Sequence, residues 1–216
     1  MKYKNTVNGK FVRRINRFVA EVLIDGILHT VHVKNTGRCK ELLLEHADVI
    51  LEKTDNPARK TQYDLIAVYK KGIGLVNIDS QAPNKAVYEW LKKNNYSYIK
   101  PEYTVGKSRI DFYMEKGKEK YFLEVKGCTL EIDGIGYFPD APTERGVKHI
   151  KELIKLKNEG YNAAIAFVIQ MENISEVRAN TATHPEFGKV LDEAREMGVE
   201  ILFLKCKLAP NELVII

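Results

Sequence analysis

The sequence predicts two modules in one chain of 216 residues: a small all-β barrel over residues 1–82 and an α/β domain over residues 83–216. Three observations carry this. The first third is a series of short Val-, Ile- and Leu-rich runs separated by turn residues. From Ser80 onward, helical spacing alternates with strand runs, which is the pattern of a sheet covered by helices on both faces. The net charge of +5 also sits wholly in the first module, where 14 Lys+Arg face 9 Asp+Glu, against 20 of each in the remainder.

In chain order, Arg17–Ile24 and Ile27–Val33 flank Asp25-Gly26, a strong two-residue hairpin signal. Asn35-Thr36-Gly37-Arg38 reads as a turn leading into a short helix over Cys39–Glu45. Further strands are read at Asp48–Lys53, Gln62–Lys70 and Gly74–Asp79, giving five or six strands, enough for a barrel that closes its own edges. Ser80-Gln81-Ala82-Pro83-Asn84 suits a linker, then a helix capped by Asn84 or Ser80 with Val87, Trp90 and Leu91 as its apolar stripe. Strands follow at Tyr96–Thr104, Ser108–Glu115 and Lys120–Cys128. A helix carrying Val147, Ile150, Leu153 and Ile154 ends at Gly160. Ala163–Gln170 is a buried-strand run, Phe187–Met197 a helix and Glu200–Lys207 a last strand.

Several classes are excluded. At 44% hydrophobic the chain fills an ordinary core, so it is neither disordered nor of low complexity. Its longest apolar run, Ala163–Ile169, is far short of the ~20 residues that span a bilayer. No apolar stretch follows Met1-Lys2-Tyr3-Lys4, so no secretory leader is read, and a soluble cytoplasmic protein without a membrane partner is expected. Cys39, Cys128 and Cys206 are odd in number and far apart, against a disulfide framework or a four-thiolate zinc site.

One constellation carries chemistry. If Gly117-Lys118 is a two-residue turn, paired residues of the flanking strands sum to 235, and Asp111 stands opposite Glu124. Side-chain alternation then puts Lys126 on the same face as Glu124. Adjacent carboxylates repel, and a hard divalent cation converts that repulsion into ligation. Two carboxylates and a lysine around Mg²⁺ or Mn²⁺ are the parts needed for phosphodiester hydrolysis. Glu124-Val125-Lys126 is the sole acidic-x-Lys triplet in the chain.

Helix, three strands, helix and strand, with Asp111 in the second strand and Glu124-Val125-Lys126 in the third, resembles the PD-(D/E)xK nuclease superfamily. End to end, the chain is similar to the sugar fermentation stimulation protein A (SfsA) family. The carrying segments are Asn35-Thr36-Gly37-Arg38-Cys39, Val76 to Asn84, Gly106 to Phe112, and Phe138-Pro139-Asp140-Ala141-Pro142-Thr143-Glu144-Arg145-Gly146. The resemblance implies an OB-like barrel followed by a PD-(D/E)xK nuclease-like α/β domain with a mixed sheet. It also implies DNA binding, metal-dependent nuclease activity and a link to sugar metabolism. Asp111, Glu124 and the Val125 backbone carbonyl match the superfamily's metal ligands, and Lys126 its catalytic lysine. Ile110 stands where the motif has proline, and Pro139-Asp140 comes too late in the chain to replace it.

Other candidates have two readings. Glu89 on the first helix is a further ligand by analogy, but lies off the apolar stripe, as a solvated residue would. Gln170 ends a strand, as a reader of lysine or nucleotide or as plain polar surface. Arg109 either meets a phosphate or partners Asp111, and Arg145 and Lys148 stand where Thr143 starts a helix. None of the five histidines has a convincing partner. Arg13, Arg14, Arg17, Lys34, Arg38 and Lys40 cluster near the first hairpin as a nucleic-acid-binding group, with Phe11, Phe18 and Tyr63 as stacking or core residues. The leading expectation is a Mg²⁺- or Mn²⁺-dependent nuclease acting on DNA or RNA. The alternative is a non-catalytic DNA-binding regulator.

Overall fold

The computed structural model describes residues 1–106 and 108–216. The barrel is built from β1 (Thr6–Arg14), β2 (Val19–Ile24), β3 (Ile27–Val33), β4 (Asp48–Lys53), β5 (Tyr63–Lys70) and β6 (Gly74–Asn77). Their order is β3-β2-β1-β4-β5-β6, and β3 also pairs with β5 through His32↔Asp64 and Val33↔Leu65, closing five strands into a barrel. Asp25 and Gly26 both take positive φ, as a tight hairpin turn requires.

β1 has no counterpart in the sequence reading. Its burial is mostly partial and its apolar residues are few, so strand periodicity is weak. Gly9 lets it through the middle of the barrel: a Cβ there would lie 2.6 Å from Val22 and 3.0 Å from Leu51. The expected helix over Cys39–Glu45 is instead a single turn. Leu42 and Leu43 bond back to the Cys39 carbonyl, but positive φ at Cys39 and His46 brackets the segment. The Phe11 carbonyl then captures the His46 amide and returns the chain to β1.

Helix α1 (Ala82–Leu91) follows β6 with no flexible linker: Asp79 is fully buried and both the amide and hydroxyl of Ser80 donate to the Lys34 carbonyl. Its N-cap is Gln81 rather than Ser80 or Asn84, its amide held by Asp79 Oδ1 at 2.9 Å. That leaves the Asn84 side chain free for the site. The chain start belongs to the second module: the Met1 amine donates to the Leu213 carbonyl at 2.7 Å.

The second module contains β7 (Tyr98–Val105), β8 (Ser108–Lys116), β9 (Glu119–Cys128), β10 (Leu130–Ile132), β11 (Ile135–Phe138), α2 (Glu144–Asn158), β12 (Asn162–Ile169), β13 (Val177–Ala179), α3 (Pro185–Glu196), β14 (Glu200–Ala209) and β15 (Glu212–Ile215). The main sheet runs β15-β14-β12-β9-β8-β7; β9, β12 and β14 are parallel and the rest antiparallel, a mixed sheet. α1 covers one face with Val87 and Leu91 on Phe112, Leu123 and Val125. α2 and α3 cover the other with Ile150, Leu153 and Phe187 near Phe122, Ile165 and Phe167. Both faces are therefore covered over the central strands β8, β9 and β12. The three-stranded sheet β10-β11-β13 and the closing strand β15 were unread, being short pieces without a run of alternating residues. Among the described residues no helix is long and apolar enough to cross a membrane.

Candidate active site

The β8–β9 register is Phe112↔Leu123 through Lys116↔Glu119, pairs that sum to 235 around Gly117-Lys118, as the turn signal predicts. Paired rungs stop at Phe112↔Leu123. One step further, the Asp111 Oδ2 accepts the Val125 amide at 2.8 Å. Its Oδ1 accepts from Asn84 Nδ2 on α1, also at 2.8 Å. Two donors thus fix this carboxylate while leaving a lone pair on each oxygen.

Glu124 is buried at 1% exposure under α2. Its Oε1 is shared by Lys126 Nζ at 2.5 Å and by His149 Nδ1. Its Oε2 is buried with no hydrogen-bond partner among the described residues. Arg145 Nε donates to the far nitrogen of His149 at 3.4 Å, so Nε2 is the acceptor and Nδ1 the donor towards Glu124. Burial pushes the Asp111 carboxyl up, reinforced by the Glu124 charge, against the Val125 amide, Lys126 and Asn84. Burial alone would raise Glu124 too, but the His149 hydrogen bond and the Lys126 ammonium outweigh it and hold that carboxyl low.

A buried, ionised carboxylate oxygen without a donor is costly unless a cation completes it. Asp111, Glu124 Oε2 and the Val125 carbonyl offer oxygen only, the donor type that Mg²⁺, Mn²⁺ and Ca²⁺ take. Among the described residues no group of three or more His, Cys, Asp or Glu is placed to hold a metal, so a cation held here would rest on two carboxylates and this carbonyl. The residues fit a hard divalent cation that keeps waters.

Two residues here carry no site signal in the sequence reading. Asn84 reads there as a cap, whereas its side chain holds Asp111. His149 reads as partnerless, although Gly146, His149, Ile150 and Leu153 fall at i, i+3, i+4 and i+7 and share α2's buried face. That spacing was the available signal. Glu89 is not part of the site: its carboxylate sits 2.7 Å from the Met1 amine, and at 57% exposure points away from the sheet. Arg109 does not partner Asp111 but lies 3.6 Å from Glu102 on the surface. Gln170 reads no lysine; its Nε2 donates to Asn77 and the Asp79 carbonyl.

The basic cluster divides. Arg14 spends its guanidinium on the carbonyls of Asn16, Arg17, Asn35, Gly37 and Arg38, so it clamps a turn and has no donor left for phosphate. Lys34 is committed to buried Asp79 at 2.8 Å. Arg13 forms a surface pair with Glu21. Arg17, Arg38 and Lys40 remain exposed and line one cleft of about 580 Å³ with Thr36, Gly37 and Leu43. Phe11 is core, Phe18 is half exposed, and Tyr63 packs edge-on against His29.

A closed OB-type barrel joined to a mixed α/β sheet, with an Asp and a Glu-x-Lys at neighbouring strands, defines a two-domain class. Residues 12–78 match the SfsA N-terminal OB domain, and residues 81–212 match the sugar fermentation stimulation protein RE domain. The chain belongs to the sugar fermentation stimulation protein (SfsA) family. It is 53% identical to the homolog from Clostridium beijerinckii over 95% of this chain and 92% of that protein. It is 50% identical to the homolog from Desulfitobacterium hafniense over 99% and 94%. The structure of Pyrococcus furiosus SfsA in complex with Ca²⁺ is similar throughout, with a TM-score of 0.89, 31% identity, and coverage of 100% of this chain and 95% of that one.

Proposed function

We propose that this chain is a cytoplasmic, divalent-cation-dependent nuclease that hydrolyses phosphodiester bonds of DNA or RNA. The observation that carries the reading is the partnerless buried Oε2 of Glu124 beside Asp111, an anionic position that a cation neutralises. The Ca²⁺ bound by the Pyrococcus furiosus relative supports a hard-cation site here, filled by Mg²⁺ or Mn²⁺. Asp111, Glu124 and the Val125 carbonyl would hold the ion, which supplies neutralisation of phosphate charge and an acidified water.

The chain's own groups do the rest. Asn84 and the Val125 amide orient Asp111. His149 fixes Glu124 through Oε1, which leaves Oε2 without a partner among the described residues. Lys126 holds its ammonium 2.5 Å from Oε1 of Glu124, placed to hold an attacking water or stabilise charge growing on the phosphoryl oxygens. Arg145, exposed behind His149, meets the phosphate as it enters. Incubation with labelled DNA and RNA in Mg²⁺ or Mn²⁺ tests the reading; cutting that survives Asp111→Asn and Glu124→Gln rejects it.

A second reading, a non-catalytic DNA-binding regulator, is favoured by the basic cleft of Arg17, Arg38 and Lys40, which lies on the barrel and contains none of the carboxylates. It predicts salt-sensitive binding without metal-dependent hydrolysis.

A further inference from the structure

A second cleft, of about 310 Å³, lies between the barrel and the α/β module and is not used by the chemistry above. Thr36 and Gly37 wall it from the barrel, and Gly127, Asp140, Thr143 and Gln170 from the other side. Its position links the two sites already described. Gly127 follows Lys126 on β9, and Thr143 caps the helix that carries Arg145 and His149. Thr36 and Gly37 also line the basic cleft.

Among the described residues no Lys or Arg lines this cleft, so its described walls are not built for phosphate. Two groups in it are acceptors without donors. Gln170 is 1% exposed; its Nε2 is tied to Asn77 and Asp79, which fixes the amide, and its Oε1 takes no hydrogen bond among the described residues. That oxygen is turned onto the β9 backbone, where a Cβ on Gly127 would lie 2.2 Å away. Asp140 is exposed, with no ion pair or hydrogen bond among the described residues, and a Cβ on Gly37 would fall 2.5 Å from its Oδ2. Its carboxylate therefore reaches the barrel turn across the cleft.

We infer that this cleft takes one unpaired nucleobase of a single strand whose phosphates run from Lys126 to the basic cleft. The volume stands at the low end of the ~300–1,000 Å³ of small-molecule sites, room for one nucleoside and not for a duplex. Free acceptors select a base edge rich in N–H donors. Guanine presents N1–H and N2–H₂ side by side, which a carboxylate accepts as a pair, whereas thymine presents one N–H between two carbonyls. The inference rests on the nucleic-acid reading above and adds a base preference to it.

The test uses the full chain in EDTA at low salt, which keeps the strands uncut. The probes are fluorescein-labelled single strands: oligothymidine, the same strand with one guanine, and the same strand with one abasic residue. Anisotropy is expected to show the guanine strand binding about tenfold more tightly than the abasic one, in line with one bidentate base contact. Asp140→Ala and Asp140→Asn are each expected to abolish that difference, bringing the guanine strand to the affinity of the abasic one. Equal binding of guanine and abasic strands by the unaltered protein, or a guanine preference that survives Asp140→Ala, overturns the inference and leaves the nuclease reading standing. Absence of binding to all three strands overturns the inference, and the cutting assay in Mg²⁺ or Mn²⁺ then decides the nuclease reading separately.

Discussion

The Asp111 carboxylate takes the hydrogen bond that the next rung of its own hairpin would use: the Val125 amide donates to Oδ2 at 2.8 Å. In the 235 register Val125 faces Ile110, and the paired rungs end before reaching it. Substituting a side chain for a main-chain acceptor ends the β8–β9 ladder at Phe112↔Leu123, one residue short of Asp111 and Glu124. The same bond fixes the rotamer of the Asp111 carboxylate.

That arrangement costs stability in the metal-free protein. Burial and the Glu124 charge raise the Asp111 carboxyl. A raised folded value means the folded state prefers the protonated acid. The group's stabilising share is then complete below its ordinary value of ~3.9 and is lost as pH rises through the folded value. Asp111→Asn is expected to raise the melting temperature in EDTA at pH 7, by roughly 2–4 °C per kcal/mol recovered, because Asn84 can turn its amide over to accept. The advantage should vanish below about pH 4. Calorimetry over this pH range checks both points, and no stabilisation at pH 7 would show that the two carboxylates do not strain the fold.

Cation binding should reverse the order. At a hundredfold excess over its dissociation constant, Ca²⁺ or Mg²⁺ stabilises a protein with one site by about 2.7 kcal/mol. That shift is expected in the unaltered chain and is expected to be absent in Asp111→Asn and Glu124→Gln. Lys126→Ala should keep the shift, because its nitrogen is no ligand, yet lose about 10²–10³-fold in cleavage rate. Thermal scans with and without metal, beside a cutting assay, separate holding the ion from using it.

The hairpin was legible because a two-residue turn fixes register, and register fixes which side chains meet. Asp111, Glu124 and Lys126 follow from Gly117-Lys118 and strand alternation alone. What supports them was hidden, since Asn84 and His149 reach the sheet from helices whose docking no local pattern specifies. The basic cluster misled for a related reason. Arg14 and Lys34 look like Arg17 and Arg38 in the sequence, and differ only in the buried carbonyls and the Asp79 carboxylate that the fold sets beside them. β1 was lost because its apolar residues are too few to show a period, although Gly9 marked the crowded crossing.

Arg14 and its neighbours should therefore separate by phenotype. Arg14→Ala frees carbonyls at Asn35 and Gly37 in the turn that walls both clefts, and is expected to cost about 1–3 kcal/mol in urea denaturation. Arg17→Ala and Arg38→Ala should each stay within about 0.5 kcal/mol. Each is expected to lower the salt slope of single-strand binding by about 0.7, the value of one phosphate contact. A slope unchanged in the double variant would remove the basic cleft from the binding surface.

The ion pair between Lys70 on β5 and Glu131 on β10 ties the barrel to the second module, and its dependence on pH has a definite sign. Lys70 Nζ lies 2.5 Å from the Glu131 carboxylate and also donates to its carbonyl at 3.1 Å, while the Gly134 amide donates to the other carboxylate oxygen at 2.6 Å. The Lys70 hydrogen bond, then the Gly134 amide, hold the Glu131 carboxyl below the usual range. A depressed folded value contributes stability that is present above the ordinary carboxylate value of ~4.3 and is lost as pH falls through the folded one. In urea denaturation, Glu131→Gln should therefore be less stable than the unaltered chain by a constant amount from pH 7 down to about pH 5. Below that the gap should close, because protonation gives Glu131 the charge that glutamine already has. A gap that holds its size to pH 3 would assign the contribution to the shape of the hydrogen-bonded turn and not to charge.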